Sequence, residues 1–137
     1  MSDLERNRRE RAERVEAQRA AADRRRAKES ERAQLLLDRF VADAIRAGLP
    51  TEELTARPWR GGRRYRTGIT GWYLRNNRSI GVGVDGDYYV LIVPPMRFGR
   101  WRTVHLTPTP PPLRVGEGAR DGESIDLAEL LGMRLSE

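Results

Sequence analysis

Two stretches of the chain interleave arginine with aromatic side chains. Trp59, Arg60, Arg63, Arg64, Tyr65 and Arg66 form one, and Arg97, Phe98, Arg100, Trp101 and Arg102 form the other. Tyr73, Arg75 and Arg78 lie between them at an expected hairpin. A guanidinium neutralises phosphate, and an exposed aromatic face stacks on a nucleobase, which is worth about 1–3 kcal/mol per base. Arg60, Arg63, Arg64, Tyr65, Arg66, Tyr73, Arg75, Arg78, Arg100, Trp101 and Arg102 are therefore the candidate surface for nucleic acid or for an acidic partner. A plainer account of the same residues buries the aromatics as core and leaves the arginines as their solvated neighbours. Whether Trp59, Tyr73 and Trp101 are exposed decides between the two.

Other strings resemble chemistry less well. Gly81 to Gly86 fits the G-x-G-x-x-G pattern, but a dinucleotide site needs those glycines between a strand and a helix N-terminus. Here a second strand follows, so the glycines read as part of a hairpin. Asp85 and Asp87 flank Gly86 and read as turn residues; two carboxylates with no third ligand nearby make a poor metal site. His105 is the only histidine and has no nucleophile or orienting acid beside it in sequence. Leu127 to Leu131 fits an LxxLL pattern but reads as a short docked helix, and the Pro108–Pro111 spacing reads as a stiff spacer. No catalytic residue, cofactor site or metal site is expected, and neither is an enzyme.

Composition bounds the rest. With 38% hydrophobic and 34% charged residues, the core must be small and local. There is no cysteine, which excludes disulfides and thiolate chemistry. The longest apolar run, Tyr88 to Pro95, is far short of the roughly 20 residues of a membrane helix. The charged N-terminus does not resemble a signal peptide, so a cytoplasmic protein is the natural expectation. The net charge of +6 is unevenly placed: residues 57–102 hold 10 arginines against Asp85 and Asp87, while residues 1–47 are nearly balanced. All basic residues but Lys28 are arginine. Genomic base composition alone can produce that bias, yet a field of this sign attracts polyanions.

These residues need a scaffold. Ser2 to Ala47 contains neither proline nor glycine and is rich in alanine, arginine and glutamate, which predicts one long helix. Before Glu31 it has no sustained apolar seam and reads as a solvated arm. Ala33, Leu36, Leu37, Phe40, Val41 and Ala44 then form an apolar stripe, widened by Leu35 and Ile45. Gly48 and Pro50 stop the helix. Thr51 is expected to cap a short turn over Glu52, Glu53 and Leu54, ended by Pro58. Strands are expected at Thr67 to Arg75, at Ile80 to Val84, at Tyr88 to Val93 and at Phe98 to Leu106, with turns at Asn76-Asn77 and Asp85-Gly86. Thr107 to Pro112 reads as an extended spacer, Leu113 to Val115 as a short strand and Gly116 to Glu123 as a loop. Asp126 and Glu129 have capping-box spacing for a helix over Leu127 to Leu131 that Gly132 closes.

The expected fold is therefore α+β: a long N-terminal charged α-helix, a small antiparallel β-meander of about four strands, and a short C-terminal helix. Residues 1–32 form the arm, 33–106 the core, and 107–137 a proline-rich spacer with a docking C-terminal segment. A β unit of this size is marginal alone, so the apolar stripe is expected to pack on one of its faces. The functional expectation is a small non-enzymatic interaction or adaptor protein. Its helical arm would engage a protein partner or a second copy. The alternative is a nucleic-acid-binding module that uses the arginine and aromatic β surface.

Overall fold

The computed structural model describes residues 2–116 and 123–137. It shows α+β architecture, with a long N-terminal helix, a five-stranded sheet, a two-stranded sheet and a short C-terminal helix. The loop expected over Gly116 to Glu123 lies largely outside the described residues. No helix among those residues is long and apolar enough to cross a membrane.

Helix α1 spans Asp3–Arg46. The Ser2 hydroxyl accepts a hydrogen bond from the Glu5 amide at 3.2 Å and so caps its first turn. At the other end the amides of Gly48 and Leu49 donate to the carbonyls of Ile45 and Ala44, the paired bonds of a Schellman closure. Ala33, Leu37, Phe40, Val41 and Ala44 are buried. Leu35 and Ile45 are not: both face solvent, which narrows the expected stripe. They lie one residue from Leu36 and Ala44, and adjacent residues on a helix point about 100° apart.

Strand β1 is Glu52–Pro58, β2 Tyr65–Tyr73, β3 Ile80–Gly83, β4 Tyr88–Val90 and β5 Ile92–Val93. They form the main sheet in the order β4-β3-β2-β1-β5. The short helical turn expected after Thr51 is instead the opening of β1. Leu54 and Ala56 point inward at strand spacing while Glu52 and Glu53 stay outside, and pairing with β2 overrides the local capping signal. The register of that pair shifts between Leu54 and Thr55, opposite Thr67 and Gly68. Gly68 takes a φ of +72°, and the Thr67 hydroxyl donates to the Leu54 carbonyl while accepting from the Ile69 amide. This bulge bends β2.

The bend allows the sheet to return on itself. Tyr88 to Val93 is one extended run that divides at Leu91. Its first part pairs antiparallel with β3 and its second pairs parallel with β1. Leu91 joins the two, donating to the Ser79 carbonyl at 2.8 Å and accepting from the Arg57 amide at 2.7 Å. Both edges of the sheet thus end on one continuous segment, and the simple four-strand meander becomes a small closed unit with one parallel pair.

Alternation sorts neighbouring residues to opposite faces. Trp72, Leu74, Ile80, Val82 and Tyr88 pack against the stripe of α1. Tyr73, Tyr89, Leu54 and Leu91 fill a second cluster, and Ala56, Tyr65, Val93 and Val104 a third. Phe40 meets Trp72 edge to face at 5.8 Å, and the Trp72 indole donates to the Leu49 carbonyl at 3.0 Å. The Asp85-Gly86 turn is not solvated throughout: Gly86 is buried against α1, where Gln34 donates to its carbonyl at 2.8 Å. At the other hairpin the left-handed residue is Arg78 (φ 58°), because Asn77 uses its side chain to accept from the Ser79 amide.

Phe98 to Leu106 is not a strand. Phe98 adopts a left-handed φ of 60°, Gly99–Trp101 forms one 3-10 turn, and only Thr103 bridges to Arg66 of β2. The proline-rich segment lies against α1: Pro111 is buried, and the Leu113 amide donates to the Glu29 carboxylate at 3.0 Å. Strands β6 (Arg114–Val115) and β7 (Ile125–Asp126) pair before helix α2, Leu127–Leu135. That helix runs through Gly132 instead of stopping at it. Asp126 stands at its N-cap without a side-chain cap bond, because its carboxylate is drawn to Arg114 at 2.7 Å. Leu127, Leu130 and Leu131 complete the main core.

Candidate arginine and aromatic cleft

The connection between β1 and β2 faces the Met96 to Trp101 segment across an open cleft of about 500 Å³. Pro58, Tyr65 and Met96 line it together with Gly61, Gly62 and Gly99, and Arg60, Arg63, Arg97, Arg100, Phe98 and Trp101 surround them. Tyr65 fixes one wall to the sheet: it is buried, and its hydroxyl accepts from the Met96 amide at 3.1 Å. Gly99 lies so close to the Tyr65 ring that a Cβ there would come within 2.7 Å of it. The two contacts hold the 3-10 turn in place, and the left-handed Phe98 turns the chain into it.

The rings on this wall are open to solvent. Trp101 is 65% exposed and Phe98 58%, while Trp59, beside the β1–β2 connection, is 68% exposed. Each ring of the wall carries a cation. The Arg100 guanidinium lies 4.1 Å from the Trp101 ring centroid, and that of Arg97 lies 5.3 Å from Phe98. Phe98 and Trp101 are themselves neighbours at 5.9 Å. Among the described residues, no carboxylate lies within ion-pair distance of Arg60, Arg63, Arg97, Arg100 or Arg102. The positive field at the cleft is therefore not neutralised locally.

The residues named from sequence divide into groups. Arg60, Arg63, Arg100 and Trp101 converge on the cleft, with Tyr65 beneath them as structural support and Arg102 exposed just beyond. Arg64 turns inward. Its Nε donates to the Thr55 hydroxyl, and its terminal nitrogen donates to the carbonyls of Thr55 and Arg78. Burial holds this guanidinium below the usual arginine value, opposed by the Tyr73 hydroxyl nearby. Tyr73 is buried, its hydroxyl accepting from the Thr55 amide at 2.9 Å, and Arg78 lies over its ring. Arg66 pairs with Glu53 at 3.3 Å.

Arg75 belongs to a different cleft, of about 710 Å³, at the far end of β2. That one is larger but mixed in charge: Arg114 pairs with Asp126, and Arg134 is held by Glu137 and the Tyr73 carbonyl. Sequence pattern missed Arg97 and Phe98 as wall residues in the named surface. The signal was present in the pair flanking Gly99, since an arginine and an aromatic stand on each side of it. No group of three or more metal-ligating side chains occurs among the described residues.

Fold and site together define a small closed β unit with an arginine and aromatic cleft, carried on a long charged helix. No protein-family model, characterised protein or solved structure matches the chain.

Proposed function

We propose that this chain is a non-enzymatic, cytoplasmic module that binds single-stranded nucleic acid in the cleft between the β1–β2 connection and Gly99–Trp101. The observation that carries this reading is the exposed Trp101 ring with Arg100 packed on it and, among the described residues, no carboxylate within ion-pair distance of Arg100. A base stacks on the free face of such a ring, and the surrounding guanidinium groups meet the backbone phosphates. Duplex bases are already stacked on one another, so rings of this kind favour unpaired strands. An acidic protein surface would answer the same charge but would not need exposed aromatic faces.

Titration with a 12-nucleotide single-stranded homopolymer, read by tryptophan fluorescence and anisotropy at low salt, tests the proposal. Trp101→Ala is expected to weaken binding by about 5- to 150-fold, the equivalent of about 1–3 kcal/mol of stacking. Arg63→Gln with Arg100→Gln should lower the slope of log affinity against log salt by about 1.4, or about 0.7 per lost phosphate contact. Absence of binding at low salt, or equal affinity in Trp101→Ala, would overturn it.

A further inference from the structure

The exposed part of α1 has a side with no acid on it. Leu4, Arg8, Arg11, Val15, Arg19 and Arg26 recur at intervals of three, four or seven residues and share one face of a helix with 3.6 residues per turn. All six acidic residues between positions 3 and 28 fall outside that face. The face spans about 33 Å at 1.5 Å per residue. It is also in phase with the core: Val15 and Ala33 are 18 residues apart, five full turns, so the arginine face continues the side of the helix that buries against the sheet. Arg8 and Arg11 have no carboxylate within ion-pair distance among the described residues. Arg19 and Arg26 form ion pairs only with their exposed neighbours Glu16 and Asp23, at 3.9 and 3.1 Å, and such pairs are readily exchanged.

This placement disfavours two occupants. A second copy joined through the face would set arginine against arginine. A lipid surface would want a broad apolar face, and this one offers only Leu4 and Val15. We infer that residues 4–26 are a second, sequence-independent contact for the phosphate backbone of the nucleic acid whose bases occupy the cleft. This rests on the cleft reading above.

The test uses the full chain with oligothymidylates of 6 and 40 nucleotides, the shorter reaching one site only. Two variants remove equal charge: Arg8→Gln, Arg11→Gln, Arg19→Gln and Arg26→Gln on the face, and Arg9→Gln, Arg14→Gln, Arg24→Gln and Arg25→Gln off it. Glutamine is a good helix former, and circular dichroism checks that the arm persists. The face variant is expected to weaken 40-mer binding about tenfold or more and to lower its salt slope by about 3, leaving the 6-mer unchanged. The off-face variant should change the 40-mer far less. Equal losses in the two variants, or no loss in either, would overturn the inference. If Trp101→Ala then still impairs the 6-mer, the cleft reading survives that failure. Loss of 40-mer binding in the face variant with no effect of Trp101→Ala would keep the arm as a contact and remove the cleft. Binding to anionic phospholipid vesicles through this face, without 40-mer binding, would also overturn it.

Discussion

At the scale of single residues, the cleft depends on one place where a side chain cannot be added. Gly99 sits against the Tyr65 ring, with three ring atoms between 2.7 and 2.9 Å from where a Cβ would stand. An aromatic ring cannot flex away as a lysine tip would, so Gly99→Ala must displace the 3-10 turn or the tyrosine. Overpacking of this kind costs about 1–3 kcal/mol. Urea unfolding is expected to show that loss, and oligonucleotide binding should fall with it because Phe98 and Trp101 move. Trp101→Ala, by contrast, should cut binding while leaving the urea midpoint unchanged. Tyr88 gives a separate residue-level expectation. Burial raises its hydroxyl pKa to about 12, against 10 for a free tyrosine, with Arg75 opposing the shift. Unfolded chains therefore ionise first as pH rises, and the stability that this residue contributes is complete below pH 10 and declines from there to about pH 12. Denaturant midpoints measured at pH 9 and pH 11 should drop in the native chain, and Tyr88→Phe should flatten the drop.

At the scale of elements, the long helix, the two hairpins and the C-terminal helix were legible because each has a local cause. Absence of glycine and proline marks α1, and an Asx or glycine turn marks each hairpin. What sequence did not reveal depended on partners far along the chain. Glu52 to Leu54 carries a good capping signal and becomes strand only because β2 pairs with it. Tyr88 to Val93 reads as one strand and is one extended run, but its division between two neighbours follows from the bulge at Thr67 and Gly68. Phe98 to Leu106 has strand-like residues, yet Gly99 packing on Tyr65 turns the chain away. The candidate surface shows the same limit. Arg60 and Arg100 look no different in sequence from Arg64 and Arg66. Only the fold shows that Arg64 closes on the Thr55 carbonyl and Arg66 on Glu53, while the other two stay uncovered. The aromatic residues were split in the same way, Tyr65 and Tyr73 going inward and Trp59 and Trp101 outward.

At the scale of the whole molecule, α1 has two parts with different obligations. Residues 3–25 are exposed apart from the half-buried Ala20 to Ala22, whereas from Arg26 onward the helix meets the proline segment and then the sheet. Removing residues 2–25 is expected to shift the melting temperature by no more than a few degrees. Removing residues 34–48 takes away Leu37, Phe40, Val41 and Ala44, and burial losses of about 2–5 kcal/mol for each large side chain exceed what a small domain can spare. That variant should be insoluble or fail to unfold cooperatively; a sharp melting transition would show the sheet to be independent of the helix. The location of this stripe also sets an order of events during synthesis. The apolar side of α1 leaves the ribosome before its covers: Trp72 is made about thirty residues later, and Leu127 to Leu131 later still. At about 5–20 residues per second, the stripe waits several seconds for its first cover and longer for its second. The charged residues that precede it emerge ahead of it, and they favour solubility of the nascent chain until the sheet arrives.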